Sequence, residues 1–61
     1  MVTLVFEYMD QPDVDQEKEF ATIAEAQNWL LGCREEDFNW IQMFTVSGYE
    51  LAECYSEILE L

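Results

Sequence analysis

Residues 47–61, SGYELAECYSEILEL, decide between two folds. Read as Ser47-Gly48-Tyr49-Glu50, the segment opens with a Ser-x-x-Glu capping signal. Leu51, Tyr55, Ile58 and Leu59 then share one face of a helix, flanked by Ala52 and Cys54. Glu50, Glu53, Glu57 and Glu60 fall on the opposite face. The rival reading makes Ser47-Gly48 a hairpin turn and Tyr49 to Tyr55 a fourth strand. The helix is favoured because the apolar and the acidic periods both agree with it.

Upstream, Trp40 to Val46 (WIQMFTV) reads as a strand apolar enough on both faces to be central. Val2 to Met9 (VTLVFEYM) reads as another, with Val2, Leu4, Phe6 and Tyr8 on one face. Asp10 to Asp13 (DQPD) is a turn punctuated by Pro12. Asp15 to Ala21 (DQEKEFA) has the charge of a solvent-facing edge strand, with Phe20 as its inward anchor.

Thr22-Ile23-Ala24-Glu25 fits a capping box, with Glu25 reaching back to the cap amide. Ile23, Ala26, Leu30 and Cys33 follow on one stripe, with Trp29 beside it, so a helix is expected over 23–31. Gly32 is placed to end it in a left-handed conformation. Cys33 to Asp37 (CREED) is a short acidic connection. The expected class is α+β: a small antiparallel or mixed sheet with helices on one face. The expected order is β-β-α-β-α, or β-β-α-β-β on the rival reading, in a single compact acidic domain over residues 1–61.

Charge narrows the function. Fourteen Asp and Glu stand against two Lys and Arg with no His, a formal charge of −12. Only Lys18 and Arg34 can offset it, so internal pairing leaves most of the self-repulsion in place. Two cations cannot form an electrostatic footprint for nucleic acid or an anionic membrane. Hydrophobic residues make up 51% of the chain, too many for a disordered acidic tail.

Three acidic constellations are candidates for contact with a basic partner. Asp13, Asp15, Glu17 and Glu19 recur at every second position. On an extended chain they would form a ladder spaced by roughly 6.6–6.8 Å, a regular line of anions like a nucleic-acid backbone. A charged edge strand that resists aggregation is the plainer explanation of the same residues. The second is the stripe Glu50, Glu53, Glu57 and Glu60, whose plainer explanation is a solvated helix face. The third is Glu35-Glu36-Asp37 with Asp10, otherwise a solvated loop.

Other chemistry finds little material. Asp13-x-Asp15-x-Glu17 looks like the start of a calcium loop, but Lys18 stands where its glycine should be and Ala24 where its last Glu should be. Without His, a zinc site would need both cysteines and two carboxylates. No imidazole base and no Gly-rich phosphate loop is present, so neither enzyme activity nor a cofactor or metal is expected. Cys33 and Cys54 are expected as free thiols in a reducing cytosol, without a signal peptide or a membrane span. Trp29, Trp40, Phe38, Tyr49 and Tyr55 are core candidates, but some apolar surface should remain for a partner or for a homodimer.

In size and acidity the whole chain resembles the small acidic inhibitors of phages and mobile elements, the anti-restriction and anti-CRISPR proteins that resemble DNA in charge. The residues carrying the resemblance are Asp13, Asp15, Glu17, Glu19, Glu50, Glu53, Glu57 and Glu60. It implies a non-enzymatic DNA mimic in the cytoplasm of a bacterial host. Such a protein would occupy the basic nucleic-acid-binding surface of a host defence or nucleic-acid-processing protein. The alternative is a small interaction module that docks on a polymerase, nuclease or regulator through an aromatic patch, with charge serving solubility and steering.

Overall fold

A computed structural model describes all of residues 1–61. Strands β1 (Val2–Tyr8) and β2 (Gln16–Phe20) lead into helix α1 (Ile23–Leu31). A single 3-10 turn (Glu35–Asp37) follows, then β3 (Phe38–Thr45), β4 (Glu50–Ala52) and a short helix α2 (Tyr55–Leu59). The strands form one sheet in the order β2-β1-β3-β4, and every neighbouring pair is antiparallel. The class is α+β.

Alternation in β1 sets the core. Val2, Leu4 and Phe6 point to one face and are buried, while Thr3, Val5 and Glu7 between them point to the other. Ile41 and Met43 of β3 and Ala52 of β4 continue the buried face. Ala26 and Leu30 of α1 and Ile58 of α2 close over it. Both helices therefore cover the same side of the sheet, and the other side carries no layer at all. Trp29, Phe6, Phe38 and Phe20 add an aromatic cluster with ring centroids 5.4 to 6.3 Å apart.

The segment 47–61 is not one helix. Gly48 adopts a left-handed backbone (φ 92) and its amide donates to the Thr45 carbonyl at 2.9 Å. The Thr45 amide donates to the Tyr49 carbonyl at 2.8 Å. This is a hairpin turn with glycine at the residue that needs positive φ. Ser47 bonds the Thr45 hydroxyl at 2.9 Å rather than capping a helix. The chain then takes elements of both readings: a strand of three residues, a break at Glu53–Cys54, and a helix of five.

The expected C-terminal signal at Gly32 is also corrected. Gly32 lies in the right-handed region (φ −86, ψ −3). Helix α1 tightens there through a bond from the Gly32 amide to the Trp29 carbonyl, so no left-handed residue is required. At the other end Thr22 caps as expected, accepting from the Glu25 amide at 3.1 Å. Glu25 reaches one residue further back than expected, accepting from Ala21 rather than Thr22. Helix α2 repeats that device: Glu57 accepts from the Glu53 amide at 2.8 Å.

Candidate acidic interface

Antiparallel pairing brings the C-terminal ends of β1 and β4 to the same end of the sheet as the N-terminal ends of β2 and β3. Three connections therefore meet there: the 9–15 loop, the 3-10 turn and the Glu53–Cys54 break. They carry Asp10, Asp13, Asp15, Glu35, Glu36, Asp37 and Glu53. The opposite end holds the 46–49 turn and the Ala21–Thr22 link, and none of these residues is acidic.

The uncovered sheet face adds four more carboxylates. Residues facing one another across the strands define its rows. Glu19, Thr3, Phe44 and Glu50 form one row, and Glu17, Val5 and Gln42 form the next. Glu7 stands opposite Trp40 in a third. An apolar strip of Val5, Trp40 and Phe44 thus lies between Glu17 and Glu19 on one edge and Glu50 on the other. Three strand spacings separate the edges by about 14 Å. Asn39, the extra residue of a bulge in β3, donates to Glu7 at 2.7 Å.

Open face and loop end adjoin, and together they hold eleven of the fourteen acidic side chains. Glu25, Glu57 and Glu60 lie on the helices or their ends. Of the two cations, Arg34 is at the loop end, where its contact with Glu36 spans 3.8 Å between exposed groups. Such a pair contributes little. Lys18 projects to the helix side, its ammonium 5.7 Å from the ring centroids of both Phe20 and Trp29. No cationic side chain is on the open face.

The structure breaks the four-acid ladder and the helical stripe. Gln16 begins β2, and Asp13 has a left-handed backbone (φ 68), so only Glu17 and Glu19 repeat on a regular strand. The stripe is divided among β4, the break and α2. Glu50, Glu53 and Glu57 nevertheless come together. Desolvation, the Glu53 charge, a hydrogen bond with Glu53 and the Glu57 charge push the Glu50 carboxyl above its ordinary 4.5. Glu60 stays apart at the end of α2. Sequence reasoning omitted Glu7, whose signal was its outward place in the β1 alternation.

Two open hollows indent the loop end. One, of about 280 Å³, is bordered by Glu35, Trp40, Glu53 and Tyr55 among others. The other lies between Tyr8, Met9, Asp10 and the 3-10 turn. No three His, Cys, Asp or Glu side chains are grouped to hold a metal ion. Both cysteines are free, and burial, then Asp37, push the Cys33 thiol above its ordinary 9.0. No helix is long and apolar enough to cross a membrane. Comparison with protein-family models, curated proteins and solved structures finds no match.

Proposed function

We propose that this chain is a non-enzymatic inhibitor that occupies the basic nucleic-acid-binding surface of another protein by charge mimicry. The observation that supports this reading is the segregation of charge. Eleven carboxylates lie on the open face and the loop end, with Arg34 as the only cationic side chain among them. Concentrating like charge opposes folding. A basic groove would relieve that repulsion, and its field would speed encounter with the acidic side. Folded proteins of the anti-restriction and anti-CRISPR type would use this chemistry in the cytoplasm of a bacterial host, without binding nucleic acid themselves.

The test is capture from a bacterial lysate on the immobilised chain, elution with rising salt, and a nucleic-acid-binding assay on what elutes. The reading expects a basic protein that elutes at moderate salt and loses its nucleic acid when the chain is added. A captured protein that binds nucleic acid and the chain simultaneously would contradict it.

A second reading has its own support. Val5, Trp40 and Phe44 are half-buried on a face that nothing covers, and Val46 and Tyr49 are exposed at the uncharged end. A module docking through these groups would bind with little dependence on salt.

A further inference from the structure

We infer that the hollow between the 3-10 turn, the start of β3 and the β4–α2 break is a receptor for an arginine side chain of the basic partner. This deepens the charge-mimicry reading and rests on it.

The hollow has the two components that a guanidinium selects. Trp40 and Tyr55, both half-buried, border it with aromatic side chains, and Glu35 and Glu53 supply carboxylates from separate elements. A guanidinium stacks flat on aromatic rings and donates bidentate hydrogen bonds to carboxylates. An ammonium makes neither contact as well, because it is compact and strongly hydrated. The volume of about 280 Å³ offers room for a single side chain rather than a folded segment.

The chain's own cations leave the hollow free. Arg34 neighbours Glu35 in sequence but is directed to Glu36. Lys18 lies against Phe20 and Trp29 on the helix side, a cation on aromatic rings in the mode proposed for the hollow. Glu35 makes no salt bridge or side-chain hydrogen bond within the chain. The Tyr55 hydroxyl is already engaged with backbone carbonyls, so its ring is held as a wall.

The experiment titrates the whole protein with N-acetyl-arginine methylamide and with the lysine counterpart, read by amide and indole proton–nitrogen spectra. A decalysine peptide is titrated in parallel to report on the acidic surface as a whole. The expected result is saturable shifts at the Trp40 indole and the Cys54 and Tyr55 amides. Affinity should be on the order of millimolar. Arginine should bind roughly threefold or more tighter than lysine. The double variant E35Q/E53Q should bind arginine roughly tenfold more weakly while its spectrum elsewhere is unchanged. Equal response to the two amino acids, or an unchanged response in that variant, overturns the inference. Decalysine binding without localised arginine shifts overturns the receptor and leaves charge mimicry standing. Failure of both ligands overturns the two together.

Discussion

The Tyr55 hydroxyl donates to the Leu30 carbonyl oxygen at 3.0 Å, joining the first residue of α2 to the last turn of α1. The Leu30 carbonyl also accepts from the Cys33 amide at 2.9 Å, and the Cys33 carbonyl, just past the end of α1, lies 3.1 Å from the same hydroxyl. This contact, with Ile58 buried beside it, fixes a helix of only five residues against the core. It also holds the Glu53–Cys54 break in place at the edge of the acidic surface.

Tyr55→Phe should therefore destabilise the fold by about 1 kcal/mol, because the Cys33 carbonyl loses its hydroxyl donor while the Leu30 carbonyl keeps the Cys33 amide. Urea unfolding measures this. An unchanged midpoint would mean that the contact contributes nothing in solution.

The two helix starts differ in a way that predicts opposite effects. Thr22 caps α1 through its hydroxyl, and Thr22→Ala should cost about 1 kcal/mol. Cys54 occupies the same position on α2 with extended backbone but makes no cap bond. Cys54→Ser should place an oxygen there and stabilise by about 0.5–1 kcal/mol. Thermal unfolding of the two variants would show shifts of opposite sign.

Gly32 offers a third change. Its backbone is in the right-handed region, and a Cβ there would meet only the Trp29 carbonyl oxygen at an ordinary 3.5 Å. Gly32→Ala should stabilise by about 0.4–1 kcal/mol, by restricting the unfolded chain. Destabilisation would imply that this residue moves to a left-handed backbone in solution.

β1 and α1 were legible because each sequence carries one period and one meaning. Val2, Leu4 and Phe6 alternate, and Thr22 precedes a clean apolar stripe. The last fifteen residues were not, since their glutamates and apolar residues satisfy a helical repeat over a segment that is mostly not helix. Three residues of β4 are too few to show a period of two, and Ala52 is buried by its partner Met43 rather than by any local pattern. The acidic surface was legible in composition but not in place. Its loops meet only through the antiparallel register, and the ladder fails because Asp13 turns left-handed just before β2.

Acidity should act on stability through Glu50. Its carboxyl binds a proton at higher pH in the folded chain than in the unfolded one. The native state then holds more protons in the window above 4.5, so this group makes stability fall as pH rises through that window. Glu50→Gln should raise the melting temperature at neutral pH and flatten the decline that begins above pH 4.5. An identical pH profile in the variant would show that Glu50, Glu53 and Glu57 do not repel one another in solution.

Displacement of labelled nucleic acid from the captured basic protein tests the central claim most directly. The wild-type chain is compared with D10N/D13N/D15N/E36Q, which neutralises exposed loop-end carboxylates and leaves the core intact. Charge mimicry predicts displacement by the wild type that weakens steeply from about 50 to about 200 mM salt. It predicts roughly tenfold or greater loss of displacement in the quadruple variant. Equal displacement by the two proteins, with the same folded spectrum and no salt dependence, would contradict it.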